Sequence, residues 1–231
     1  MSNIRQALNV VANISVSILA IVLVVVVLFR DRATLPRSMS AGGAQSLPRQ
    51  PLTLDGAWLD GNRSAQAVVI EYADFQCPYC RQFAVGTLND IRRSYIATGK
   101  ILFVFHSIPL TQLHSFAFRA AVAAECAGRE GKFWQLHDGL FAKPENVRVD
   151  RWMRLAAVAG IDMQKFTLCL TGSAPLKVRQ EMENAEALSI VSTPTFFVGK
   201  QRADHLVDAV GRHSGVMSLA EFSAFIKPVV P

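Results

Sequence analysis

Two cysteines separated by two residues, Cys77 and Cys80, follow closely behind a short apolar segment in this chain of 231 residues. The segment VVIEYA at 68–73 has the length and composition of a buried β-strand, and residues 81–95 have helical character. A second apolar run, ILFVF at 101–105, predicts a neighbouring buried strand. Strand, helix and strand in this order indicate a parallel, right-handed α/β unit, with the C-x-x-C pair where the first strand leads into the helix.

The position of this pair predicts different roles for its two cysteines. Free backbone N–H groups and the helix dipole favour negative charge at a helix N-terminus, so the pKa of the Cys77 thiol should be lowered. Because the thiolate is the nucleophile, we expect Cys77 to attack and Cys80, one turn inside the helix, to be the more buried, resolving cysteine. Pro78 fits the first helical turn, where its missing N–H leaves no hydrogen bond unmade.

A zinc site is the main alternative use of a C-x-x-C pair, and it requires a second pair of ligands at matching spacing. The other two cysteines, Cys126 and Cys169, stand alone, and His106, His114 and His137 form no obvious ligand set. We therefore predict redox chemistry at the C-x-x-C pair, with no metal and no other cofactor.

The first fifty residues indicate a membrane anchor and a tether. Residues 1–9 precede an uncharged run at 10–29, which is long enough to cross a hydrocarbon core of ~30 Å as a helix. A cleaved signal peptide has a shorter apolar core and a nearby small-x-small site, whereas here the nearest plausible site is at Ala41. We favour an uncleaved signal anchor, followed at 30–51 by a flexible linker containing three prolines and two adjacent glycines.

Composition and charge limit the number of domains, the kinds of partner and the cellular compartment. Residues 52–231 suit a single domain with a sizeable core, and the net charge of +6 is scattered without a basic stripe that would indicate nucleic acid binding. An even count of four cysteines behind an export signal indicates an oxidising compartment. Arginines on the far side of the anchor favour the opposite topology by the positive-inside rule. Because the cysteine chemistry requires an oxidising compartment, we nevertheless expect a single-pass protein of the cytoplasmic (inner) membrane, with its catalytic domain facing the periplasm or the cell exterior.

The rest of the chain predicts helices followed by two strands. Residues 112–190 are expected to form a helical insertion, whose first helix contains Leu113 and Phe116 and ends near Gly128. Strands are expected at 195–198 and 206–210 with a turn starting at 199–200, and a last helix should run from Ser218 through Ile226. The predicted fold class is α/β: a thioredoxin-like fold with an inserted helical domain, preceded by one N-terminal transmembrane helix.

Three segments of the chain resemble the DsbA-like branch of the thioredoxin superfamily. They are VIEYADFQCPYC at 69–80, AECA at 124–127 with KFW at 132–134, and STPTFFV at 192–198. The resemblance covers about 52–226. It implies a thioredoxin fold with a helical insertion and an activity that exchanges disulfides with protein substrates.

The same resemblance implies roles for further residues. Pro194 matches the cis-proline that packs beside the cysteine pair, and Thr193 precedes it. We expect both, together with Pro78 and Tyr79, to contact the substrate, because a cis bond exposes the preceding backbone for strand-like pairing. Glu71 matches an acidic position six residues before Cys77 on the buried strand.

Burial would raise the pKa of Glu71 and make it a candidate proton acceptor for Cys80, in the catalytic machinery with both cysteines. The alternative is a partly exposed glutamate at a strand end. Similar relatives carry cysteines at the contexts of Cys126 and Cys169, which implies a structural disulfide; the alternative is two buried free thiols.

Tyr79 differs from the histidine common in the most strongly oxidising members of the branch. A neutral tyrosine provides no positive charge to stabilise a thiolate, so we expect Cys77 to be less acidic, and the disulfide less oxidising, than in those members.

We therefore expect a thiol–disulfide oxidoreductase that oxidises reduced exported proteins and is reoxidised by a quinone-linked membrane partner. One alternative is a reductase or isomerase acting on misoxidised proteins and kept reduced by a membrane thiol reductant. The other is a non-catalytic periplasmic chaperone or assembly factor that binds unfolded chains near Thr193.

Overall fold

The structure, a computed structural model, describes residues 46–230 of the chain. The expected N-terminal segment at 1–9, the transmembrane anchor at 10–29 and the linker as far as residue 45 lie outside the described residues. Within 46–230, no helix combines the length and the hydropathy needed to span a membrane.

The core of the described domain is a six-stranded mixed sheet. Its strands, in spatial order, are β1, β6, β5, β3, β4 and β2. Their bounds are β1 Leu52–Thr53, β2 Trp58–Gly61, β3 Ala67–Ala73, β4 Ile101–Ser107, β5 Thr195–Gln201 and β6 Leu206–Ser214. Only β3 and β4 pair in parallel among these strands; the other four pairings are antiparallel.

The central strands β3 and β4 form the parallel unit expected from the sequence. All seven residues of each strand are buried, because both strands lie inside the sheet and helices pack on its two faces. Continuous apolar composition is typical of strands in this position. The turn that carries Cys77 thus follows directly on the carboxyl end of a fully buried strand, β3.

Helices cover the sheet. They are α1 Pro78–Val85, α2 Thr87–Ile91, α3 Ala117–Arg129, α4 Phe133–Ala142, α5 Val149–Val158, α6 Met163–Thr171, α7 Ala174–Ala187 and α8 Leu219–Ile226. A π-helical turn, Arg92–Ile96, continues α2, and a short 3-10 turn, Pro144–Val147, precedes α5. Helices α3–α7 all lie between β4 and β5 in the chain, which confirms a thioredoxin-like fold with a helical insertion.

Three local expectations differ in detail from the structure. The helical character expected at 81–95 is confirmed, with an interruption at Gly86, whose φ of −96° and ψ of −86° are not helical. The first insertion helix begins at Ala117 rather than near Leu113, because the preceding residues form a turn held by side-chain hydrogen bonds described below.

The third expectation, a turn starting at 199–200, is wrong because β5 continues to Gln201. A register shift at Val198/Gly199 brings the two backbones close together, and a Cβ on Gly199 would lie 2.4 Å from the carbonyl oxygen of Asp208. Glycine at this position therefore permits a bulge rather than a turn. The last helix begins as expected, with a capping box between Ser218 and Glu221.

Candidate active site

Cys77 lies where β3 gives way to α1. It is the residue immediately before the helix, with φ −68° and ψ 124°, and its backbone N–H donates to the carbonyl oxygen of Asp74 at 3.0 Å. Cys80 lies in the first turn of α1 and is fully buried, whereas Cys77 retains 4% of its surface. Both are free thiols in this structure. The helix N-terminus and the burial order are those expected for an attacking and a resolving cysteine.

The electrostatics of the two thiols differ in the same sense. The pKa of Cys77 is lowered to about 6, chiefly by a hydrogen bond from the Cys80 thiol. Hydrogen bonds from the Thr193 side chain and from the backbone N–H groups of Cys80 and Tyr79 act in the same direction, and burial of the thiol opposes them. Burial, the hydrogen bond to Cys77 and the negative charges of Cys77 and Glu71 raise the pKa of Cys80 well above its ordinary value. At neutral pH, Cys77 is therefore the thiolate of the pair.

The loop before β5 lies against Cys77. The Thr193–Pro194 peptide bond is cis, and the Cys77 thiol donates to the carbonyl oxygen of Thr193 at 3.3 Å. Strand β5 starts at the next residue, Thr195, which pairs with Tyr72 on β3. The structure therefore brings the C-x-x-C pair and the Thr193–Pro194 bond together, although 116 residues separate Cys77 from Thr193.

Pro78 and Tyr79 are the exposed residues of the C-x-x-C motif. Pro78 opens α1, and Tyr79 keeps 61% of its surface in contact with solvent. Both are exposed beside Cys77, which is nearly buried, and are therefore accessible to a partner that approaches the sulfur.

Glu71 lies near the end of β3 and is only 1% exposed. Burial, reinforced by the Cys77 charge and opposed by that of Arg92, raises the pKa of its carboxyl to about 8. Its Oε2 atom has no hydrogen-bond partner among the described residues. The alternative interpretation, a partly exposed glutamate at a strand end, is wrong, because Glu71 pairs in register between β4 and β5. A carboxyl that is protonated at neutral pH is suited to exchange a proton with a nearby thiolate.

Asp74 is a site residue that sequence reasoning did not identify. Its side chain is fully buried, and its carboxylate accepts hydrogen bonds from the backbone N–H groups of Gln76 at 2.7 Å and Leu110 at 2.8 Å. Its Oδ2 also lies 2.8 Å from Nδ1 of His114. The signal in the sequence was an acidic residue directly after a fully buried strand and three residues before Cys77, but its partners Leu110 and His114 are 36 and 40 residues away.

Cys126 on α3 and Cys169 on α6 are joined by a disulfide, with Cα atoms 5.7 Å apart. They are therefore not the two buried free thiols of the alternative interpretation. The bond ties together two helices of the insertion and leaves Cys77 and Cys80 as the free thiol pair of the described residues. Across residues 46–230, no group of three or more His, Cys, Asp or Glu side chains is arranged to hold a metal ion.

Comparison with known proteins decides the family. A family model described as Thioredoxin matches residues 54–226, which is most of the chain. The chain belongs to the thioredoxin family. The match includes β3, the C-x-x-C pair and the Thr193–Pro194 loop, so the thiol chemistry described above lies in the part that defines the family.

Solved structures with a similar fold include two DsbA-like proteins. The chain resembles alpha-DsbA1 of Wolbachia pipientis, with a TM-score of 0.68 and 24% identity over 77% of this chain and 92% of that one. It also resembles oxidised BdbD of Bacillus subtilis, with a TM-score of 0.64 and 20% identity over 77% of this chain and 95% of that one. At these identities the likeness concerns the fold, which is DsbA-like.

Curated relatives match in sequence over a limited part of their length. A protein named Na(+)/H(+) antiporter NhaA 3, from Salinispora tropica, is 33% identical over 77% of this chain and 27% of its own length. A protein named Na(+)/H(+) antiporter NhaA 1, from Salinispora arenicola, is 33% identical over 66% of this chain and 23% of its own length. The chain thus spans about a quarter of the length of these curated relatives, and their named activity is not assigned to it.

Proposed function

We propose that this protein introduces disulfides into exported proteins through its Cys77–Cys80 pair. The observation that carries the proposal is the pair of free thiols at the start of α1, with the Cys77 sulfur 3.3 Å from the carbonyl oxygen of Thr193 at the cis bond. Hydrogen bonds at this position, above all from Cys80, lower the pKa of Cys77 to about 6. A lowered pKa stabilises the reduced form relative to the disulfide, and a stabilised reduced form makes the corresponding disulfide a better oxidant.

The reaction proceeds by two thiol–disulfide exchanges. A substrate thiolate attacks Cys77 Sγ of the Cys77–Cys80 disulfide, a mixed disulfide forms and Cys80 leaves as a thiolate. A second substrate thiolate attacks the substrate sulfur of the mixed disulfide, so that the substrate gains a disulfide and Cys77 leaves as a thiolate. Two electrons pass from the substrate to the cysteine pair, and the released thiols take up protons according to their pKa values.

Glu71 supplies the proton that Cys80 needs. Because its pKa is raised to about 8, the carboxyl is largely protonated at pH 7 and donates to the departing Cys80 thiolate, whose own pKa is higher still. In the reverse direction, the same carboxylate accepts the proton when Cys80 attacks a mixed disulfide. Glu71 thus acts in the proposed catalytic machinery together with the two cysteines.

Exposed apolar side chains on the segments that are hydrogen-bonded to the Cys77 turn suit an unfolded protein as the substrate. Tyr79 lies beside Cys77, Val191 precedes the Thr193–Pro194 loop and is 85% exposed, and Leu113 is 76% exposed. Exposed apolar residues grouped around a reactive atom indicate a binding surface rather than scattered surface residues. A substrate segment in extended conformation pairs with the backbone at Thr193 while its side chains contact this rim.

A reductase or isomerase is the second candidate, and Tyr79 favours it. The ring of Tyr79 is neutral, so it adds no positive charge beside Cys77, and the disulfide should be less oxidising than that of relatives with histidine at this position. The two candidates differ in the redox state at which a membrane partner keeps the pair: a quinone-linked oxidase removes two electrons from it, whereas a thiol reductant supplies two.

The proposed location is the outer face of the cytoplasmic membrane, with residues 10–29 as a single-pass anchor. The Cys126–Cys169 disulfide supports this location, because structural disulfides persist in oxidising compartments and are rare in the cytosol. A tether between anchor and domain would keep Cys77 within reach of both exported chains and a membrane partner.

The test is transfer of a disulfide to a protein. The oxidised full-length protein is mixed with an equimolar reduced, unfolded protein that contains two cysteines, and both partners are followed by alkylation and mass spectrometry. We expect the substrate to become oxidised while Cys77 and Cys80 become reduced, and a Cys77→Ser, Cys80→Ser variant to be inactive. Transfer in the opposite direction under a glutathione buffer of periplasmic potential would favour the reductase. Full function of the double variant in cells would favour the chaperone.

A further inference from the structure

The loop between β4 and α3, Leu110–Phe116 (the 110–116 loop), is fastened to the turn that carries Cys77. The buried carboxylate of Asp74 accepts the backbone N–H of Leu110 at 2.8 Å, and the same oxygen lies 2.8 Å from Nδ1 of His114. The loop is thus held at two points by one side chain that has no exposed surface.

Gln76 fastens the far end of the 110–116 loop. Its Oε1 atom accepts the backbone N–H of Phe116 at 2.7 Å, and its own N–H donates to Oδ1 of Asp74 at 2.7 Å. Asp74 therefore fixes the backbone of Gln76 as well as the loop. The two residues form one hydrogen-bonded bracket between the Cys77 turn and the 110–116 loop.

The main chain of Asp74 contacts both cysteines. Its carbonyl oxygen accepts the N–H of Cys77 at 3.0 Å, and its N–H donates to Sγ of Cys80 at 3.5 Å. Asp74 thus connects the two cysteines to the 110–116 loop: its backbone contacts the cysteines, and its carboxylate binds the loop.

We propose that Asp74 and Gln76 are positioning residues that hold the 110–116 loop at a fixed distance from Cys77, so that its exposed side chains contact a bound protein substrate. The loop presents Leu113 and Phe116, which are 76% and 39% exposed. The bracket acts through the loop and does not change the chemistry at the sulfur atoms. This inference rests on the proposed exchange with protein substrates.

Asp74→Asn is the most direct variant, because it keeps the volume and the backbone. The Asn side chain offers one acceptor oxygen, so when it serves Gln76 its NH₂ group faces the N–H of Leu110, donor against donor. Leu110 is then left without an acceptor, and the loop is released on that side. The backbone contacts of residue 74 with Cys77 and Cys80 are unchanged.

The kinetic arm uses the full-length protein and two substrates of different size. One is a reduced, leucine-rich peptide with two cysteines, turned over with oxidised glutathione; the other is dithiothreitol, which is too small to contact the loop and the sulfur atoms at once. For Asp74→Asn we expect KM for the peptide to rise about tenfold, with kcat and the dithiothreitol rate within about twofold. Asp150→Asn, an exposed aspartate on α5, is the matched control and should change neither.

A double-mutant cycle separates positioning from a general loss of structure. Leu113→Ser, at an exposed site, should raise KM for the peptide three- to fivefold in the parent protein and less than 1.5-fold in the Asp74→Asn background. Additive effects of the two substitutions would overturn the proposal, as would an unchanged KM. An equal fall in the peptide and dithiothreitol rates would place Asp74 in the chemistry instead of the loop.

Hydrogen exchange provides the arm that needs no substrate. Asp74→Asn should speed amide exchange across the 110–116 loop at least tenfold and leave that of β3 unchanged; unchanged exchange in the loop overturns the proposal. If Asp74→Asn fails to fold, Gln76→Ala should speed exchange of the Phe116 amide and raise KM about threefold, and neither change would be the contrary result. If the parent protein reacts with dithiothreitol but not with the peptide, the proposed function is contradicted. Amide hydrogen exchange in the 110–116 loop then still decides whether Asp74 holds that loop.

Discussion

The two thiols of the C-x-x-C pair, three residues apart, differ in acidity because their surroundings differ. Cys77 precedes a helix and accepts hydrogen bonds from Cys80 and from backbone N–H groups, whereas Cys80 is enclosed in an apolar core with a buried carboxyl nearby. Hydrogen bonds to the charged form lower a pKa, and burial raises that of a thiol. The difference in acidity between the two thiols is therefore produced in part by Cys80 itself.

Replacing Cys80 should make Cys77 less acidic. In Cys80→Ala the largest stabilising hydrogen bond to the Cys77 thiolate is absent, so we expect the pKa of Cys77 to rise from about 6 by roughly one unit. The pH dependence of the iodoacetamide reaction rate measures it. Cys80→Ser, which retains a hydroxyl donor, is the matched control with a smaller rise. An identical midpoint in the parent and the alanine variant would show that the helix end alone acidifies Cys77.

Glu71→Gln should remove a pH dependence of stability. The pKa of Glu71 is raised from 4.5 to about 8 in the folded protein, so the stability that this carboxyl contributes is complete below pH 4.5, falls as the pH rises from 4.5 to 8 and is lost above 8. Glutamine is neutral at every pH, and we expect the variant to match the parent near pH 4 and to exceed its free energy of unfolding at pH 9 by up to about 5 kcal/mol. Urea unfolding of the reduced proteins measures the difference. Parallel stability curves would contradict a buried, protonated Glu71.

Among the helices and strands, residue patterns predicted those whose formation depends on local sequence. The apolar runs of β3 and β4, the helix start at Pro78 and the capped helix at Ser218 follow from such patterns. The edge strand β1 has two residues and β2, with the sequence WLDG, has little apolar alternation, so neither was expected. Both form because they pair with β6 and β4, and those contacts are long-range.

The disulfide between α3 and α6 should contribute stability and leave the exchange reaction unchanged. It closes a loop of 43 residues, and limiting the unfolded chain in this way contributes about 4 kcal/mol in the chain-entropy model. We expect a Cys126→Ala, Cys169→Ala variant to unfold at lower urea concentration, with a loss of about 2–4 kcal/mol, and to retain its exchange rate with dithiothreitol within twofold. A large fall in that rate, with the fold intact, would indicate that the second pair takes part in electron transfer.

For the whole molecule, the family and the chemistry of the C-x-x-C pair could be predicted from short motifs, but the shape of the site could not. The Thr193–Pro194 loop was placed beside Cys77 through resemblance alone, since 116 residues separate it from Cys77. Asp74 was not predicted for a related reason: its hydrogen-bond partners, Leu110 and His114, come close to it only in the folded protein. Local signals identify reactive residues, whereas the residues that position them depend on tertiary contacts.

The most direct test of protein exchange at Cys77 is the capture of mixed disulfides by full-length Cys80→Ser in cells that export cysteine-containing proteins. Cys80→Ser lacks the resolving thiol but keeps a donor to Cys77, so covalent complexes with its protein substrates should accumulate. We predict that non-reducing gels show such complexes, that dithiothreitol releases them, and that the released partners are exported proteins with cysteines. The Cys77→Ser, Cys80→Ser variant should show none. Absence of complexes in the single variant, or equal amounts in the double variant, would contradict disulfide exchange with proteins at Cys77.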